Sequence, residues 1–267
     1  MFIREGVQVG VDEFSIETGR MGKQADGTVI VKYGDSVVLV SVVADRTERD
    51  VPFLPLTVEY TERAYAAGRI PGNYFRREGR PATHEILTCR LIDRPIRPLF
   101  PENWHSETQI IAMALSTDGK SPPDVLAITG ASAALAISDI PWNGPIAGIR
   151  VGRVDGKFIV FPTEEQQKDG DLNIVVACSS DALVMVEGAC RFVSEKDLMG
   201  ALAFAKEQSE PILELQNKIR NAVGKEKRQI PEKTQDAELV KKIRKMCLGK
   251  VKEAFGVREK QARHDAL

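Results

Sequence analysis

The residues best suited to chemistry in this 267-residue chain are arginines and aromatics, gathered in one stretch. Between Arg63 and Arg97 there are eight arginines, no lysine and three acidic residues. Within it, residues 65–81 are punctuated by glycine and proline, which predicts a loop. Tyr74-Phe75 and Arg76-Arg77 lie side by side near its tip. An aromatic ring gives a base a stacking surface worth about 1–3 kcal/mol, with little regard to sequence. Arginine grips phosphate through a two-pronged fork and also stacks on planar groups. Together these residues suit single-stranded RNA. A lone aromatic is more often a core residue. Glycines on both sides and the neighbouring arginines, Arg80 among them, favour nucleic-acid contact.

The segment that follows, residues 83–101, predicts a short helix. Thr83 would cap it, with Ile86, Leu87 and Leu91 toward the core. Arg90 and Arg94 are four residues apart and share a face. Pro95 disfavours helical geometry at Arg94, so the helix is expected to end there. Asp93 can pair with one arginine. Two readings of Asp93, Arg90 and Arg94 stand together: an ion-pair cluster at a helix end, or part of a binding surface. Arg97, held between Pro95 and Pro98, suits a fixed phosphate contact.

Other chemistries find little support. Gly119-Lys120-Ser121 looks like the end of a phosphate-binding loop, but Ala114 stands where its first glycine is needed and two prolines follow. Proline has no N–H to give a phosphate. The three histidines, His84, His105 and His264, form no metal-ligand or triad spacing. Cys89, Cys178, Cys190 and Cys247 are far apart, as suits free thiols in a reducing cytoplasm. No window approaches a membrane span and Met1 to Glu5 has no signal-peptide run, so a soluble cytoplasmic protein is expected.

The elements that must position these residues read as α+β. Thr28–Tyr33 and Ser36–Val43 are β-branched runs around Gly34-Asp35, a hairpin. The second run is apolar at nearly every position and predicts a central strand buried on both faces. Further strands are expected at 11–17, 109–115, 148–151, 157–161, 172–177 and 182–187. A helix rich in small residues should run from Ser121 to Ile137. Ser194 with Asp197 should start a long helix that Pro211 kinks or splits before Gly224. Past Gly224 the composition changes. Residues 225–263 carry 13 basic and 6 acidic residues, with helical spacing from Ala237 to Phe255. This gives domains at 1–224 and 225–267. The net charge of −1 thus hides blocks of opposite sign, for residues 1–62 hold 11 acidic against 6 basic residues.

Several long motifs resemble the first core domain of the bacterial polynucleotide phosphorylase family. They are Ala66 to Pro81, Arg90 to Pro101, Glu17-Thr18-Gly19-Arg20 with Gln24-Ala25-Asp26-Gly27, Ile128 to Leu135, and Pro141 to Ile146. They stand in the same order and span almost the whole chain. The resemblance implies an RNase PH-like α+β core followed by the start of an all-helical domain, cut from a longer enzyme. It implies 3′-to-5′ phosphorolysis of RNA by inorganic phosphate, with Mg2+, in a second core outside this sequence.

Laid on that second core, the phosphate-binding serine run falls here at Pro122-Pro123-Asp124. The Asp/Asp/Lys set falls near Gln167, Asn173 and Val175, with Asp171 close by. The resemblance therefore implies no catalytic and no metal-binding residue in this chain. It makes Tyr74, Phe75, Arg76 and Arg77 the loop that narrows the central channel of a homotrimeric ring. Tyr74 stands where the family usually has phenylalanine, which keeps the stacking ring. Arg80, Arg90, Arg94 and Arg97 become further RNA contacts or ring-interface groups. Partners in RNA degradation would follow. The alternatives are a stand-alone, non-catalytic RNA-binding ring subunit and, on weaker grounds, an independent phosphorolytic enzyme.

Overall fold

A computed structural model describes residues 1–72, 79–120, 122–230 and 237–267. The chain divides into two units, Met1–Ile230 and Pro231–Leu267. The larger begins with strands β1 (Ile3–Val9), β2 (Asp12–Thr18), β3 (Gly27–Tyr33), β4 (Ser36–Glu48) and β5 (Leu56–Glu62). Helix α1 (Thr83–Ile96), strand β6 (Ser106–Ser116) and helix α2 (Asp124–Ile137) follow. Next come β7 (Ala147–Val154), β8 (Lys157–Val160), α3 (Glu164–Asp169), β9 (Leu172–Cys178), β10 (Leu183–Cys190) and α4 (Glu195–Val223). The first sheet has the order β1-β2-β3-β4-β6-β5, and the second β10-β9-β7-β8. Every pairing is antiparallel except that of β5 with β6.

The predicted hairpin is β3 with β4, in register from Tyr33↔Ser36 to Gly27↔Val42. Strand β4 alternates, however. Val38, Val40 and Val42 are buried, while Val37, Leu39 and Ser41 are half-buried and Val43 is exposed. Only one face carries helices, so an unbroken apolar run does not bury both.

Helix α2 fills the middle of the core, packing on β3, β4 and β7. Every residue from Val125 to Ile137 is buried, as an all-round apolar helix requires. Gly130 permits the close approach, since a Cβ there would lie 2.5 Å from Val40 Cγ2. Its polar groups are satisfied: Ser132 Oγ donates to Gln216 Oε1 at 2.6 Å and accepts from the Ile146 amide at 2.9 Å.

Two helices run past their prolines. Helix α4 is not split at Pro211, because Ile212, Leu213, Leu215 and Ile219 bury one face beyond it. That packing outweighs one missing hydrogen bond. Helix α1 likewise passes Pro95 to Ile96, with Pro95, Ile96 and Ile92 buried and the Arg97 amide donating to Asp93 O. The cap is also not Thr83. Ala82 holds that position, and the Glu85 carboxylate accepts from the Ala82 and Glu62 amides at 2.6 and 2.7 Å. Turning Glu85 inward sets the buried face as Glu85, Thr88, Leu91, Ile92, Pro95 and Ile96. Ile86 and Leu87, expected in the core, are 51% and 57% exposed.

The larger unit runs past Gly224 to Ile230, with residues 225–228 strapped to the core. Lys225 N donates to Ile137 O at 3.0 Å, and Lys227 Nζ reaches Leu135 O and Ser138 O, both at 2.7 Å. A cation here complements the free carbonyls at the end of α2. Arg228 Nη2 lies 3.0 Å from both Asp26 Oδ2 and Asp139 Oδ1, with its guanidinium 5.7 Å from the Trp104 ring centre.

Burial alone would raise the Asp139 carboxyl, but Arg228 and Arg46 outweigh it and hold the group below its usual range. Such a carboxylate stabilises the fold above its unfolded pKa, about 3.9, and the gain is lost as pH falls through the lower folded value. Hydrogen-exchange protection of the Arg228 amide, bonded to Asp139 O at 2.8 Å, is expected to persist at neutral pH. It should fall away below about pH 4. Protection factors that stay constant through that range would detach Asp139 from the strap.

The smaller unit holds α5 (Ala237–Phe255) and α6 (Lys260–Ala266). The expected helical stripe is present on α5, with Leu239, Ile243 and Met246 each at least half exposed. Among the described residues no helix is long and apolar enough to cross a membrane.

Candidate functional site

A groove runs between α1, the start of α2 and the strands β7, β9 and β10. One part, about 500 Å³, is lined by Glu62, Arg63, Arg69, His84 and Asp124 among others. A second, about 400 Å³, adds Leu87, Arg150, Asn173, Glu187 and Gly188 and shares His84, Thr88 and Asp124 with the first. Arg69 is part of the wall of this groove. Tyr74, Phe75, Arg76 and Arg77 lie outside the described residues.

The other predicted arginines separate into three kinds. Arg80 and Arg90 are exposed. Arg94, on the same face as Arg90, pairs with Glu187 of β10 and so ties α1 to the second sheet. Arg97 is committed to the fold. Its Nε and Nη2 meet Asp93 Oδ2 and Oδ1 at 3.0 and 2.7 Å. Its Nη1 and Nη2 also meet Leu54 O and Leu56 O, both at 3.2 Å. The ion-pair reading of Asp93 thus describes what it does for Arg97.

Sequence reasoning missed His84 and Arg150. His84 Nε2 stands 3.3 Å from Glu62 Oε2 at the groove's edge. Tyr60 donates to the other Glu62 oxygen at 2.6 Å, and burial first, then the Glu62 charge, pushes the phenol far up. Arg150 is the more consequential. Its Nη2 pairs with Asp124 Oδ2 at 2.5 Å, and its Nη1 meets Asn173 Oδ1 at 3.0 Å. Asn173 Nδ2 in turn donates to Gln167 Oε1 at 3.1 Å. The only cue in the sequence was a charge inside an apolar strand, at 148–151.

This network lies against the first turn of α2. Pro122 and Pro123 offer no N–H, and Asp124 Oδ1 already accepts from the Val125 amide at 2.8 Å. The first turn of α2 therefore carries its own anion. Asp171 faces away, its carboxylate on Arg153 at 2.9 and 2.6 Å, which holds it below the usual range. One committed carboxylate does not fit a divalent ion. Among the described residues no group of three or more histidines, cysteines and acids forms a metal cage.

Comparison with known proteins agrees with this architecture. Residues 11–141 match the 3′ exoribonuclease family, domain 1, and residues 144–208 match its domain 2. A polyribonucleotide nucleotidyltransferase of Myxococcus xanthus (strain DK1622) is 49% identical over 266 residues, covering 99% of this chain and 37% of that protein. One from Sorangium cellulosum (strain So ce56) is 49% identical over 265 residues, covering 99% and 35%. The chain thus spans little more than a third of the length of these relatives. The crystal structure of rice (Oryza sativa) Rrp46 superposes with a TM-score of 0.63 at 15% identity, over 80% of this chain and 96% of that one, a likeness of fold.

Proposed function

The chain belongs to the 3′ exoribonuclease family, its fold is the expected RNase PH-like α+β core, and from that premise we propose that it is the RNA-guiding core of a polyribonucleotide nucleotidyltransferase. In this reading the longer enzyme is a cytoplasmic homotrimeric ring that degrades mRNA from the 3′ end with phosphate and Mg2+. The present core binds single-stranded RNA, builds part of the ring and holds no phosphorolytic site. Tyr74, Phe75, Arg76 and Arg77 stack on and grip the strand, and the exposed Arg80 and Arg90 add further phosphate contacts.

The observation that carries the reading is the closed network Asp124–Arg150–Asn173–Gln167. Phosphoryl transfer needs donors and a metal placed on developing negative charge. Here the arginine is neutralised by the aspartate, and Asn173 donates to Gln167, whose own amide donates to Pro162 O. Incubating the 267-residue chain with oligo(A), phosphate and magnesium is expected to release no nucleoside diphosphate above a protein-free control. Turnover by the chain alone would overturn the non-catalytic assignment.

A further inference from the structure

Glu85 is one of three acidic residues among the eight arginines of residues 63–97, yet its side chain is turned inward and buried. One carboxylate oxygen, Oε2, accepts from the Ala82 amide at 2.6 Å. That bond is ordinary helix capping, a third-position glutamate reaching back to the residue before the helix. The other bond is not. Oε1 accepts from the Glu62 amide at 2.7 Å, on β5. The chain leaves β5 at Glu62 and enters α1 after Ala82, so one carboxylate joins the two ends of the segment that carries the arginine and aromatic cluster. Further bonds fix the outgoing end. The Glu62 carboxylate accepts from the Tyr60 hydroxyl at 2.6 Å and lies 3.3 Å from His84 Nε2. The Thr117 amide donates to Ala66 O at 2.9 Å, and the Arg69 amide to Ala64 O at 3.0 Å. On the returning side the Ala82 amide is held by Glu85, and Ala82 O accepts from the Ile86 amide at 3.1 Å.

We propose that Glu85 is a positioning residue for RNA capture, acting through the segment whose two ends it joins. Bonds from an ionised carboxylate to backbone amides are stronger than neutral ones. Fixing both ends of a binding segment reduces the freedom it must surrender when it orders on a ligand, and the affinity rises accordingly. Glu85 itself touches no RNA, because it is buried and each of its oxygens already accepts an amide. The surplus bond to β5 distinguishes it from a plain capping residue. The inference rests on the RNA-guiding reading given above, and its test separates the two.

Glu85→Gln keeps the shape and one acceptor but turns an NH2 group toward the other amide. Ala82→Pro removes only the returning donor, at a φ of −71° that proline adopts. Affinity for a single-stranded oligoribonucleotide, read below the melting temperature of every variant, is expected to fall about fivefold in each. In a chain that also carries Phe75→Ala, Arg76→Ala and Arg77→Ala, the same substitutions should cost less than about twofold, because little is left for the fixed ends to position. Ser194→Ala removes the side chain that accepts from the Asp197 amide at the start of α4, and should lower stability while leaving RNA affinity unchanged. Parent-like affinity in either folded variant overturns the proposal. An equal loss with and without the three alanines also overturns it, as does an equal loss in Ser194→Ala, since either is the mark of a merely structural effect. If the triple variant by itself binds like the parent, the RNA-guiding reading fails instead.

Discussion

Replacing Arg228 by methionine is expected to destabilise the larger unit by about 3 kcal/mol. The size follows from what the guanidinium leaves behind. Asp26 and Asp139 have side chains only 11% and 17% exposed, and Arg228 Nη2 stands 3.0 Å from each. Asp26 is not free to turn to water, because its Oδ2 also accepts from the Ala44 amide at 2.8 Å. Without Arg228 the two carboxylates keep only Arg46, at 3.3 and 2.8 Å, whose side chain is 69% exposed and well screened. Arg228 Nη1 also bonds Ala44 O and Asp45 O, at 3.3 and 2.9 Å, so β4 loses that partner as well. Methionine fills much of the same volume against Trp104 and isolates the charge effect. Urea unfolding of the variant checks the magnitude. Adding Asp26→Asn and Asp139→Asn should recover part of the loss, because the repulsion is then gone. A single variant within about 0.5 kcal/mol of the parent would show that the hub contributes little.

What the sequence makes legible follows where each side chain's partners lie. The β3–β4 hairpin could be read because β-branched residues and a Gly-Asp turn are local signals. Helix α2 could be read because small and apolar residues fill every position of it. Strand β1 went unread: its residues Arg4, Glu5 and Gln8 look like loop, yet it is an edge whose pairing to β2 needs only backbone. Strand β5, preceded by Pro52 and Pro55, is parallel to β6, and a parallel partner leaves no turn signal. The outward Ile86 and Leu87 were misplaced because Glu85 spends its charge on two amides, one of them 23 residues away. The same limit hid Arg150. Its meaning depends on Asp124 and Asn173, which only the packing of α2 against the second sheet brings together. That residues 122 and 123 have no N–H to give was legible from the two prolines. The Asp124–Arg150 ion pair beside them was not.

The loop that carries the proposed function gives the other large effect. Changing Phe75, Arg76 and Arg77 together to alanine is expected to weaken binding of a single-stranded oligoribonucleotide by about 10- to 100-fold near 0.1 M salt. Loss of one stacking ring accounts for about 1–3 kcal/mol. Each arginine on a phosphate also displaces a condensed counterion, so affinity falls steeply with salt. The triple variant should therefore show a shallower salt dependence, its slope in log affinity against log salt reduced by about 0.7 for each arginine that contacts phosphate on a single strand. That second readout separates contact from folding. A chain that merely lost structure would lose binding at every salt, whereas the triple variant should approach the parent at high salt down to the deficit left by the missing ring. Arg97→Ala offers the contrast. Its guanidinium is bound to Asp93, Leu54 O and Leu56 O, so it should lower stability and leave the salt slope where it was. Unchanged affinity in the triple variant would return Phe75, Arg76 and Arg77 to an ordinary solvated loop. Arg80 and Arg90 would then have to hold RNA without them.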